Sequence, residues 1–190
     1  MKHEAHYSVC LREGEQPTVT TTEAIAAPKD VLVVGAESTC TRYLSTLVAI
    51  NLGIIDSETA WDAVDKIEKN GTSVTHRSLP HGGRDNFVDL DYCKNFDLVL
   101  ITTRDQFCSL AGKVRCHQPT MAKAQEEQDR AFAVLAEIVE HCGRVHIWNY
   151  EAASQLGETY HRQFFRRAGL PFRRHVEVNE INGKYFRGET

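Results

Sequence analysis

A short apolar run that ends abruptly at a glycine constrains this chain more than any other segment. Residues 31–34 read Val-Leu-Val-Val without a polar interruption, and the turn-like stretch from Gly35 to Arg42 follows at once. An uninterrupted β-branched run is typical of a strand that is buried on both faces, as in parallel sheets. The apolar segment 41–53 then predicts a helix that closes at Gly53. Strand, sharp turn and helix together predict an α/β unit.

The rest of the chain continues this alternation. Further strands are predicted at 72–76, 96–103 and 144–150. Helices are predicted at 57–71, 106–114, 120–143 and 151–170, the first of them stopped by Asn70-Gly71. Strands that alternate with helices imply right-handed βαβ units and a parallel sheet. We therefore expect a single-domain, three-layer α/β sandwich over residues 29–190, preceded by a polar extension over residues 1–28.

Composition excludes several classes of function. The net charge of −4 and the pI near 6.1 argue against a protein whose main function is to bind nucleic acid through its phosphates. The six cysteines form no C-x-x-C pair and match no zinc spacing, so we expect no metal site and a reducing compartment. No apolar run is long enough for a membrane span, and the polar N-terminus does not resemble a signal peptide. These features predict a cytoplasmic protein that does not bind membranes.

The turn after the first strand has the context of a phosphate-binding loop. Successive backbone N–H groups and the N-terminus of the following helix would point at an anion held in the bend. The turn lacks the later glycines of a dinucleotide fingerprint. Aligned with G-x-x-x-x-G-K-[ST], it carries Cys40 in place of the second glycine and Thr41 in place of the lysine. The missing lysine argues against ATP chemistry, although a nucleotide or small-molecule kinase with a degenerate loop stays open.

The same turn resembles the 5′-phosphosulfate loop, G-x-x-x-[ST]-G-T-[ST], of sulfotransferases that use 3′-phosphoadenosine-5′-phosphosulfate (PAPS). Gly35, Thr39 and Thr41 match that pattern. Other segments similar to the family follow in the expected order: 75–80, 99–109, 145–152 and 182–186. On these motifs the chain resembles small bacterial or phage-type PAPS-dependent sulfotransferases. The resemblance implies a P-loop NTPase-like sulfotransferase fold and sulfuryl transfer from PAPS to a hydroxyl or amine of a small-molecule or carbohydrate acceptor.

The resemblance also implies residue roles. His76 is the favoured catalytic base, His81 is the alternative base, and Arg42 supplies a cation to the transferred group. Arg104 and Ser109 would hold the 3′-phosphate. The residues expected to bind the 5′-phosphosulfate are Gly35, Ser38, Thr39, Cys40, Thr41 and Arg42.

The chain also departs from the family pattern. Cys40 replaces a glycine, Ser38 replaces the usual basic residue, and Ser109 follows Arg104 more closely than in the family. These departures keep open a non-catalytic relative that only binds nucleotide. Glu37 is an acidic neighbour of the anion site, and we expect it to pair with Arg42, to serve as a second candidate base, or to point to solvent. The acceptor and the oligomeric state stay open.

Overall fold

The computed structural model describes residues 27–56, 65–79 and 89–178. Its centre is a five-stranded sheet in the order β2-β3-β1-β4-β5. The strands are β1 (Asp30–Ala36), β2 (Lys66–Lys69), β3 (Thr72–Leu79), β4 (Leu98–Thr103) and β5 (Val145–Asn149). β1, β3, β4 and β5 run parallel, whereas β2 pairs antiparallel with β3 at one edge. The expectation of an α/β fold with a mostly parallel sheet is confirmed.

Helices cover both faces of this sheet. They are α1 (Thr41–Asn51), α2 (Leu90–Cys93), α3 (Gln106–His117), α4 (Met121–His141) and α5 (Tyr150–Ala168). Successive residues of a strand point to opposite faces, so both faces of β1 must be apolar. Val31 and Val33 pack in one apolar cluster with α1 and α5, and Leu32 and Val34 pack in a second cluster with α4. This two-sided burial explains the uninterrupted apolar run at 31–34.

The helix expected at 57–71 is wrong from residue 66 onward. Residues 66–69 form β2, and Asn70 and Gly71 form the turn into β3, with φ angles of 54° and 75°. An Asn-Gly pair with two positive φ angles is the preferred two-residue hairpin turn. The polar sequence of β2 suits an edge strand, which is largely exposed to solvent. Residues 57–64 lie outside the described part of the chain.

The second parallel strand is longer than expected, because β3 continues to Leu79 rather than ending at His76. The predicted helices at 106–114, 120–143 and 151–170 correspond to α3, α4 and α5, while the short helix α2 was not anticipated. Most of the proposed extension at 1–28 lies outside the described residues. None of the described helices is both long enough and apolar enough to cross a membrane.

Candidate functional site

The loop between β1 and α1 lies at the topological switch point of the sheet, where the chain connections run to opposite faces. The chain leaves β1 for α1 on one face, and it leaves the neighbouring strand β4 through α3 for α4 on the other face. The two connections therefore diverge at the carboxyl edge of the sheet. A crevice at such a switch point is where open α/β sheets bind their ligands.

The loop itself is tightly held by its own backbone and by β4. The Thr39 amide donates to the carbonyl of Ala36 at 3.2 Å, and the Thr39 hydroxyl donates to the same carbonyl at 2.5 Å. That hydroxyl also lies 2.7 Å from the hydroxyl of Thr102 on β4. On either side of Thr39, Ser38 and Cys40 adopt left-handed φ angles of 64° and 70°. Cys40 thus takes the conformation that the glycine of the family pattern reaches freely, at a cost of about 1 kcal/mol.

Position 35 requires a glycine because neighbouring atoms leave no room for a side chain, not because of its φ angle. A Cβ atom at this position would lie 2.1 Å from the Thr102 hydroxyl oxygen and 2.5 Å from that of Thr39. It would also lie 2.9 Å from the backbone carbonyl oxygen of Thr102. The absence of a side chain at Gly35 allows the loop to be anchored on β4.

The N-terminus of α1 differs from those of the other helices. Asp89, Asp105, Thr120 and Asn149 each cap their helix by accepting a backbone N–H bond. At α1, no side-chain capping bond is made by Cys40 in the described structure. The first-turn amides of a helix have no intrahelical acceptor, so an uncapped end offers them to an anion. The described structure thus leaves the first-turn amides of α1 without a side-chain cap from Cys40, as in helix ends that bind anions.

Two side chains of the expected site lie at this helix end. The Thr41 hydroxyl lies 2.9 Å from the hydroxyl of Ser78, which joins α1 to the end of β3. Arg42, the second residue of α1, is exposed to solvent. Burial raises the pKa of the Cys40 thiol to about 11. The thiol is therefore protonated at neutral pH, which argues against a nucleophilic role for Cys40.

Arg104 reaches the loop from the end of β4. It is largely buried, and its Nη1 donates to the Ser38 carbonyl at 3.0 Å. Its guanidinium lies 4.8 Å from the centre of the Tyr150 ring at the start of α5. A cation over an aromatic face is a stabilising contact. Arg104 thus places positive charge beside the loop while supporting its backbone.

Ser109 and Glu37 meet on the α3 side of the loop. The buried Ser109 hydroxyl donates to the Glu37 carbonyl at 2.9 Å, so its proton is used within the fold. The Glu37 carboxylate is buried and lies 2.9 Å from the ammonium of Lys113, which in turn lies 2.6 Å from Glu127. His117 approaches Glu37 at 3.8 Å. The expectations that Glu37 pairs with Arg42 or points to solvent are therefore wrong.

Sequence reasoning missed Lys113. A signal was present, because Lys113 follows Ser109 by one helical turn and the two lie on the same face of α3. In the ATP-binding loop pattern, a lysine stands at the position that Thr41 takes here. Lys113 does not replace that lysine, because its ammonium already pairs with two carboxylates.

The structure places His76 inside β3 rather than at its end. His76 is paired in register with Val33, whereas Gly35 is level with Ser78. At the rise of a β-strand, His76 lies about 7 Å along the strand from Ser78. The strand-end position assigned to His76 therefore belongs to Ser78 and Leu79. His81, the alternative base, lies outside the described residues.

In comparisons with known proteins, no family profile matches this chain, and no curated protein is significantly similar to it.

Proposed function

We propose that the loop from Gly35 to Arg42 binds the 5′-phosphosulfate of PAPS and that the protein is a sulfotransferase with a P-loop-like fold. One observation carries the proposal: the N-terminus of α1, where Cys40 makes no side-chain cap, follows β1 at the switch point between β1 and β4. The loop motif that resembles the sulfotransferase pattern lies at this same place. An anion there gains from both the free amides and the helix dipole.

The chemistry divides among residues at the carboxyl edge of the sheet. PAPS would supply the sulfuryl group, which passes to the acceptor oxygen as the S–O bond to the 5′-phosphate breaks. The amides of Thr41 and Arg42 and the Arg42 side chain are suited to hold the nonbridging oxygens of that group. Arg104 adds positive charge from the β4 side. A base must accept the acceptor's proton, and His76 and His81 are the candidates that the sequence offers.

A second function is favoured by the position of His76, the favoured base, which lies inside β3 rather than at its end. The side chains of Arg104 and Ser109, expected to hold the 3′-phosphate, both donate to carbonyls of the loop. A protein that retains the nucleotide site as a binding device, without transfer, would need no well-placed base. The kinase alternative has less support, because Thr41 stands at the position of the ATP-binding lysine.

Calorimetric titration with PAP, the desulfated product of PAPS, tests the binding site. We expect micromolar affinity for PAP, tighter than for ATP–Mg²⁺, and a loss of about tenfold in Arg42→Ala, since charge-assisted bonds to an anion are lost. Arg130→Ala is the matched control, because Arg130 is an exposed arginine that pairs with Glu126 on α4. Wild-type protein that does not bind PAP would contradict the proposal.

Transfer is tested separately from binding. The protein would be incubated with PAPS and a panel of hydroxyl and amine acceptors, and PAP release would be followed with and without acceptor. Acceptor-dependent release establishes a sulfotransferase. Tight PAP binding without release for any acceptor would favour the non-catalytic function.

A further inference from the structure

The loop carries an acidic residue beside the site proposed for an anion. A carboxylate at Glu37 that reached the α1 N-terminus would repel a bound phosphate or sulfate. In the structure this carboxylate is 5% exposed and lies beside the ammonium of Lys113, which is 4% exposed. Glu127 holds the other side of that ammonium at 2.6 Å. The loop's negative charge thus lies inside the protein, beside an ammonium that Glu37 shares with Glu127.

Two side chains of helix α3 contact Glu37. Ser109 donates to the Glu37 carbonyl, and Lys113, one turn later, pairs with the carboxylate. The Glu37 amide is also used, since it donates to the carbonyl of Leu79 at 2.9 Å. Backbone and side chain of this one residue are therefore both fixed by neighbours.

These contacts lie on the face of the sheet opposite α1. Glu37 lines a narrow crevice together with Leu79, Lys113 and Gln128. Leu79 belongs to the apolar cluster that packs against α4, whereas α1 belongs to the other cluster. The carboxylate and the uncapped helix end thus lie on opposite sides of the loop.

We propose that Lys113 is a positioning residue that holds Glu37 on the α4 face and thereby keeps its negative charge away from the anion at the α1 N-terminus. This inference rests on the proposed anion site. A buried carboxylate that loses its cation must either take up a proton or move to water. Either outcome would end the arrangement that keeps the Glu37 charge buried on the α4 face.

The test compares the anion affinity of Lys113→Met, Glu37→Gln and the double variant. Calorimetry would use PAP and, separately, inorganic pyrophosphate as probes. We expect Lys113→Met to weaken PAP binding about tenfold, as one uncompensated charge near the anion predicts. Adding Glu37→Gln removes that charge and should restore binding to within about twofold of wild type. Lys123→Met is the matched control, because Lys123 pairs with Glu126 and Glu127 but not with Glu37.

Rescue by Glu37→Gln separates positioning from a general loss of structure, since a disrupted loop would not regain affinity in the double variant. Binding that stays weak in a folded double variant overturns the inference. If Lys113→Met does not fold, Glu37→Gln alone decides, because the inference requires it to bind PAP no more weakly than wild type. If the wild-type protein binds pyrophosphate but not PAP, the sulfotransferase proposal is refuted. The affinities of the same variants for pyrophosphate then test the role of Lys113. Wild type that binds neither anion overturns both.

Discussion

Gly35 shows how one missing side chain sets the geometry of the loop. We predict that Gly35→Ala lowers the free energy of unfolding by about 3 kcal/mol, because the new methyl group would overlap Thr102 and Thr39. One of the blocking atoms is a backbone carbonyl, so rotation of a side chain cannot relieve the overlap. Urea denaturation followed by circular dichroism measures the change.

Gly143→Ala is the control for that measurement. Among the described residues other than its two chain neighbours, none has a heavy atom within 4 Å of the position that a Cβ would take at Gly143, and we expect a change of less than about 0.5 kcal/mol. Equal effects of the two substitutions would contradict the steric account. PAP affinity should fall in Gly35→Ala and stay unchanged in Gly143→Ala if the loop is the binding site.

Some residues of the site could be recognised from the sequence and others could not. The loop from Gly35 to Arg42 follows from local pattern alone, because a buried strand, a glycine and an apolar helix are contiguous. The partnership of Glu37 with Lys113 joins residues that are distant in sequence and depends on how α3 packs beside the loop. His76 was misplaced because polar residues continue β3 beyond the apolar pattern that marked its end.

The same distinction applies to the secondary-structure elements. The central strands β1 and β4 were predictable, since burial on both faces leaves a continuous apolar run. The edge strand β2 was read as the end of a helix, because its charged residues carry no alternating apolar signal. As sequence, Asn70-Gly71 is compatible with both a helix stop and a hairpin turn, and the pairing of Lys69 with Thr72 shows that it is a hairpin.

The last residue of α1 fastens the segment that follows α5. Asn51 is fully buried, and its Oδ1 accepts from the amides of Arg173 and Arg174 at 2.5 and 2.9 Å. Its Nδ2 donates to the Arg174 carbonyl at 2.9 Å and to the carbonyl of Leu47. One side chain thus satisfies several backbone groups of a segment that has no regular secondary structure.

We predict that Asn51→Leu destabilises the protein by about 3 kcal/mol, because buried backbone groups lose their partners. Hydrogen exchange at the amides of Arg173 and Arg174 should accelerate in this variant. Asn95→Leu is the matched control, since the exposed Asn95 side chain donates to carbonyls of the preceding short helix α2. An Asn51→Leu protein with wild-type stability and unchanged exchange would refute this role.

At the scale of the whole molecule, a buried histidine lies where α1, β5 and α5 meet. His161 of α5 is fully buried, and its ring stacks on Trp148 of β5 with centres 6.1 Å apart. The Tyr43 ring of α1 lies 6.0 Å away, and the Nδ1 atoms of His161 and His175 are 3.1 Å apart. Burial, together with the nearby His175, lowers the pKa of His161 to about 4.

This lowered pKa predicts that the protein loses stability as the pH falls from about 6.5 to about 4, because the unfolded chain binds a proton that the folded state excludes. The contribution of His161 to the free energy of unfolding is complete above pH 6.5, and its loss amounts to at most about 3 kcal/mol.

His161→Phe keeps an aromatic ring on Trp148 but cannot titrate, so its stability should fall less over the same interval. Urea denaturation at several pH values gives the free energy of unfolding of both proteins. The contributions of the other titrating groups largely cancel in the difference between the two values. The exposed His141→Gln variant should follow the wild-type profile. Parallel profiles for wild type and His161→Phe would show that His161 does not couple folding to protons.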